Sequence, residues 1–351
     1  MSRLVIHIGT HKTGTTSIQR TLFASRARLK ERGIHYPDYS SIGHRNHYAH
    51  IGVANALATE HPTITKAMAE HFFKEHSVRE ETKGVTIISA EPFYRHFFQE
   101  SGVPVRSPTP KAYWPSRFRF IEYLRSLTGP AEIAIVVRRQ CDFAESMYQE
   151  HVKVTRYADS FEKFTRDYWY HFVYCEQVEA WQRYFDKVHV IKLSEIAGGE
   201  IARKFLRRLS LKPGHLHETE PANVGADKDT IIFKRLLNGS NLPREKLDAV
   251  MKLLQEGEPE SADREARSFF RDAEQRRSFQ SRFTEGNARL ATLAGAGSGP
   301  FFEPLDKDEV ETVKYGDDID RSLYQNLFAN VLSTLLDRQV GKVGGSPRNA
   351  A

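Results

Sequence analysis

Cysteine is scarce in this chain: Cys141 and Cys175 are the only two among 351 residues. Both fall in segments that read as buried or helical, and two thiols make no disulfide framework, so reduced thiols and a cytoplasmic location are expected. Long apolar runs are lacking as well. The N-terminal apolar stretch is too short for a signal-peptide core or a membrane span, and no later segment qualifies, so no integral membrane segment is expected. No Asp-rich tract and no Cys/His cluster stands at metal-ligand spacing, so no metal is expected. The formal charge is +6 and the pI about 9.1, which suits anionic ligands. With no arginine-rich tract and no interleaved basic-aromatic array, nucleic acid is not an expected partner.

What is present is alternation. Hydrophobic residues make up 40% of the chain, enough for a sizeable core. The β-branched run Leu4 to Ile8 reads as a buried strand, and Ser17 to Arg32 carries Ile18, Leu22, Phe23 and Leu29 on a helical face closed by Gly33. Further strands are expected at Val85 to Ser89, Ile133 to Val137 and Val188 to Leu193. Helices at Phe118 to Leu127 and Cys175 to Phe185 fall between them. The expected fold is α/β, with a central, mostly parallel sheet flanked by helices over 1–240. A helical extension is expected over 241–340, from Arg264 to Phe283 and Ile319 to Leu336 with the loop Gly295 to Pro300 between them; 341–351 reads as a disordered tail. Parallel sheets bind ligands at the carboxyl ends of their strands, which points to the chain just after Ile8, Ser89 and Val137.

After Ile8 comes Gly9-Thr10-His11-Lys12-Thr13-Gly14-Thr15-Thr16. Between a strand and a helix, such a loop turns backbone N–H groups and a helix N-terminus onto an anion. Gly9 and Gly14 allow close approach, Lys12 adds a mobile charge, and Thr13, Thr15, Thr16 and Ser17 add hydroxyl donors. The ATP-type pattern G-x-x-x-x-G-K-[ST] is not met, because Thr15 follows Gly14. After Val137 comes Arg138, whose planar fork suits phosphate, with Ser146 eight residues later, expected near the first turn of the next helix. Arg139 is the neighbouring candidate, turned to the other side if strand alternation continues. Strand end Ser89 leads to Glu91, which is either a general base or a residue favoured at a helix start beside Pro92. His47 and His50, in GHRNHYAHI, are the competing candidates for base or acceptor contact.

The GTHKTGTT loop, with its lysine ahead of Gly-Thr-Thr, resembles the 5′-phosphosulfate loop of sulfotransferases that use 3′-phosphoadenosine 5′-phosphosulfate (PAPS). The Arg138 to Ser146 spacing resembles that family's 3′-phosphate motif. Arg139 and Gln140 stand where the family often has Asp-Pro. The resemblance spans about the first 210 residues. It implies PAPS as co-substrate, held by Gly9, Lys12, Thr13, Gly14, Thr15, Thr16, Ser17, Arg138 and Ser146, with no metal. It also implies transfer of a sulfuryl group to a hydroxyl or amine. Lys12 would act at the leaving phosphate and Glu91 as base, and a glutamate base suits a carbohydrate or glycolipid acceptor. The alternative is a P-loop kinase or nucleotide-binding protein with an atypical loop, which would need Mg²⁺ and an acidic ligand at a strand end.

Overall fold

Leu4, Val5 and Ile6 are all but completely buried although their side chains alternate in direction. A strand buried on both sides belongs inside a sheet covered on both faces. The computed structural model bears this out; it describes residues 2–77, 84–99, 102–217, 227–256, 267–295, 300–305 and 313–316, with 325, 328, 329, 332 and 333.

In chain order the elements are β1 (Ser2–His7), α1 (Thr15–Ala24), α2 (Arg26–Glu31), β2 (Ile34–His35), α3 (Ile51–Ala58), α4 (Lys66–Glu75) and β3 (Gly84–Ser89). Then come α5 (Pro110–Thr128), β4 (Glu132–Val137), α6 (Gln140–Val154), α7 (Phe161–Asp167), α8 (Tyr174–Gln182) and β5 (Lys187–Lys192). The remainder is α9 (Leu193–Ile196), α10 (Ile201–Arg208), α11 (Lys228–Asn238), α12 (Arg244–Glu256), β6 (Arg267–Ser268), α13 (Ala273–Ser281), α14 (Thr284–Leu293) and β7 (Lys314–Tyr315). The chain divides into two compact units. The first comprises 1–143, 166–222 and 282–304; the second comprises 144–165, 223–281 and 305–351.

The first unit holds a five-stranded sheet in the order β2-β3-β1-β4-β5, parallel at every pairing. His7 is in register with Ser89 and with Ala134, so β1 and β3 end together while β4 runs three residues further. Val5, Ile87, Ala134 and Val136 pack on one face with Ile18 and Leu22 of α1 and Phe205 and Leu206 of α10. Leu4, Ile6, Ile88, Ile133 and Ile135 face the other way and are equally buried. Among the described residues the second unit holds α11 and α12, joined by Phe233 and Leu254, and a two-stranded parallel pair, β6 with β7.

Several boundaries differ from the sequence expectation. The helix expected over 17–32 is two, α1 and α2, separated at Ser25, whose backbone N–H caps Thr21. The strand expected to end at Leu193 ends at Lys192, because Leu193 opens α9. The stretch read as helical from Arg264 contains the strand β6, and its helix starts at Ala273. Most of the stretch 319–336, and all of 341–351, lie outside the described residues. Both cysteines are buried and neither is in a disulfide, and no described helix is long and apolar enough to cross a membrane.

Candidate functional site at the carboxyl edge of the sheet

The loop after β1 continues the sheet before it turns. Ile8 N–H donates to Ala134 O at 2.9 Å and Thr10 N–H to Val136 O at 3.3 Å, which carries the β1 ladder along the longer β4. Thr10 Oγ1 donates to the same Val136 O at 2.8 Å, and Thr13 Oγ1 donates to Thr10 O at 2.5 Å. Thr13 was expected to offer its hydroxyl to an anion; the hydroxyl is instead part of the loop's own fold, and the residue is completely buried. Three residues have positive φ: Gly9 (34°), Lys12 (65°) and Gly14 (77°). Left-handed backbone at these three points lets the loop turn tightly between β1 and α1. Lys12 is the costly member, since a side chain disfavours that conformation and such strain concentrates at functional loops. At Gly9 a Cβ would lie 2.7 Å from Thr15 Cγ2 and 3.3 Å from Glu91 Cγ, so only glycine fits.

Gly14 is the N-cap of α1, and no side chain caps the helix. Its first turn contains no acidic residue. The N–H groups of that turn have no intrahelical partner, and the helix supplies no carboxylate of its own to the positive end of its dipole. Thr15 is buried, whereas Thr16 and Ser17 are half-buried.

Glu91 lies at the end of β3, at the start of a 3₁₀ turn over Glu91–Tyr94. It was expected as either a base or a helix-start residue; it does open this turn, beside Pro92, and its buried carboxylate also accepts from Gln19 Nε2 of α1 at 3.1 Å. The position of Glu91 Cγ beside Gly9 places the carboxylate against the loop after β1. On the same turn Arg95 Nε donates to His11 Nε2 at 3.2 Å. Burial, then Arg95 and Lys12, push the His11 imidazole down to about 3, so it stands neutral in the loop.

Arg138 follows the last residue of β4, and its Nη1 donates to Lys12 O at 3.4 Å, which ties this strand end to the loop. Arg139 was expected to turn away, but β4 stops at Val137 and alternation ends with it. Both arginines line one cleft of about 430 Å³, with Asp142, Lys192, Ser194, Phe301 and Phe302 among its other walls. Arg139 Nε is paired with Asp142 Oδ2 at 2.9 Å, and Lys192 Nζ lies 5.6 Å from the Phe301 ring centroid. Sequence reasoning missed Lys192 although it ends β5, where the strand-end rule points. Phe301 carries no local signal, because it reaches the cleft from more than a hundred residues away.

Three expected residues stand elsewhere or are differently used. Ser146 is not at a helix start: α6 begins at Gln140, so Ser146 lies beyond the turn whose N–H groups are unpaired. By its contacts it belongs to the second unit. His50 is fully buried, with Nε2 3.0 Å from Pro37 O and Nδ1 accepting from Ser89 N–H at 2.9 Å. Both ring nitrogens are engaged by backbone, burial lowers its pKa to about 4, and the ring is a strut with no nitrogen left for an acceptor proton. His47 is exposed, and its Nδ1 accepts from Ala49 N–H at 3.1 Å. Among the described residues no group of three or more His, Cys, Asp or Glu side chains is placed to hold a metal ion.

No family model matches this chain, and no curated protein matches it. Among solved structures it is similar to a sulfotransferase from Alicyclobacillus acidocaldarius, at 16% identity over 83% of this chain and 95% of that one, with a TM-score of 0.40.

Proposed function

We propose that the protein is a sulfotransferase that uses PAPS and transfers its sulfuryl group to a hydroxyl or amine of an acceptor, a carbohydrate or glycolipid. The observation that carries this reading is the meeting of Lys12, Glu91 and Arg138 at one edge of one sheet, joined by the contacts of Gly9 with Glu91 and of Lys12 with Arg138. A nucleotide with anionic groups at both ends fits such an edge. The uncapped α1 N-terminus and the glycine-lined loop suit its 5′ end, and the cleft with Arg138, Lys192 and Phe301 suits its 3′-phosphate and base. Bound there, the donor would supply the sulfuryl group, already activated by its phosphate leaving group.

The protein's own residues then have distinct tasks. Lys12, with the N–H groups of Thr15 and Thr16, stabilises negative charge on the departing phosphate. Glu91 takes the proton of the acceptor hydroxyl as the new O–S bond forms and the S–O bond to phosphate breaks. A carboxylate base is favoured over a histidine one, since His50 has both nitrogens engaged and His11 accepts from Arg95. That choice supports a carbohydrate-type acceptor.

Calorimetry tests the reading directly. Adenosine 3′,5′-bisphosphate is expected to bind the full chain without Mg²⁺ and more tightly than ATP, and Lys12→Ala to abolish transfer from ³⁵S-labelled donor. Tight binding of MgATP with no affinity for the bisphosphate would replace it with the kinase reading.

A further inference from the structure

Beneath the phosphate loop lies a chain of buried polar groups that the roles above leave unused. Gln19, Ser89 and His7 are each 1% exposed or less. Gln19 Nε2 donates to Glu91 Oε2 at 3.1 Å and to Ser89 Oγ at 3.0 Å, and Ser89 Oγ meets His7 Nδ1 at 2.8 Å. Burial holds the His7 pKa down at about 3, so this end of the chain carries no charge. The two outermost atoms, Gln19 Oε1 and His7 Nε2, are buried with no hydrogen-bond partner.

The orphaned Gln19 oxygen is informative. A buried amide normally satisfies its carbonyl. This one forgoes that and turns its NH₂ to the carboxylate and the serine, as an amide does when two acceptors fix its orientation. We infer that Gln19 is a positioning residue for Glu91: it pins Oε2 and leaves Oε1 as the oxygen that meets the acceptor. This rests on the sulfuryl-transfer reading, in which Glu91 is the base. It also names a coupling. Gln19 lies one turn along α1 from Thr15, so the helix whose first turn would hold the donor phosphate also holds the base. A donor seated at the head of α1 and an acceptor proton aimed at Glu91 thus share one rigid element.

The experiment has an arm that needs no turnover. In the ¹⁵N-labelled full chain, the Gln19 side-chain amide resonance, assigned by its loss in Gln19→Met, is expected to move on Glu91→Ala. Calorimetry on the same samples with adenosine 3′,5′-bisphosphate should give affinities for wild type and Gln19→Met within about twofold, since the amide does not face the donor. With ³⁵S-labelled donor and p-nitrophenyl β-galactoside as acceptor, Gln19→Met should lower kcat about ten- to a hundredfold at unchanged donor KM, the scale of a misaimed catalytic group. It should lower kcat no further in a Glu91→Gln background. An unmoved Gln19 resonance with nucleotide binding intact, or additive losses in the double variant, would overturn the positioning role alone. Absence of any bisphosphate binding by wild type would overturn the sulfuryl-transfer reading, and the role with it.

Discussion

Arg138 and Lys12 are both cations, but they differ in what holds them. Lys12 sits on a left-handed backbone inside the loop, and Arg138 reaches the loop from the end of β4 through the Lys12 carbonyl. A guanidinium that reads a 3′-phosphate should distinguish nucleotides with and without it. Arg138→Ala is therefore expected to weaken adenosine 3′,5′-bisphosphate binding by about 2 kcal/mol, the worth of a charge-assisted contact, while AMP binding changes little. Calorimetry with the two ligands checks this; equal losses would remove Arg138 from the 3′ end.

At the scale of elements, the opposite edge of the sheet is fastened by one carboxylate. Glu132 of β4 accepts from Arg3 of β1 at 2.7 Å and 2.8 Å, lies 2.6 Å from His189 Nε2 and 3.2 Å from Lys187 Nζ, both of β5. Burial raises its pKa, and the hydrogen bonds from Arg3, His189 and Lys187 more than reverse that, to about 2. A carboxyl depressed from 4.5 to about 2 contributes stability that is present above pH 4.5 and is lost as the pH falls through 2. Allowing for solvent screening, that contribution is about 2 kcal/mol. Thermal melts should show Glu132→Gln below wild type at neutral pH, with the gap closing between pH 4.5 and 2. This clamp was not legible in the sequence, because it joins residues 129 apart whose meeting depends on strand register. The strands themselves were legible, since runs such as Ile133 to Val137 are apolar on both faces, and so was the carboxyl-edge location of Lys12, Glu91 and Arg138. The internal use of Thr13, the two engaged nitrogens of His50 and the mid-helix place of Ser146 were not, because each depends on a partner or a helix boundary that local pattern does not fix.

For the whole molecule, the division into two units matters most for where charge gathers. The first unit carries the loop, Glu91, Gln19 and the cleft with Arg138, Arg139 and Lys192. In a chain of net charge +6, that cluster should draw anionic nucleotides from a distance. Raising salt from about 50 mM to about 500 mM shortens the screening length several-fold and should slow association measured by stopped flow, with dissociation much less affected. The loop itself has a different consequence. Hydroxyl contacts from Thr10 and Thr13 already hold its shape, so under the proposed reading an arriving oxyanion would meet a loop organised in advance. A loop organised in advance would lose less ordering entropy on binding than one that must fold around its ligand, and that difference would appear as tighter binding with no added contact.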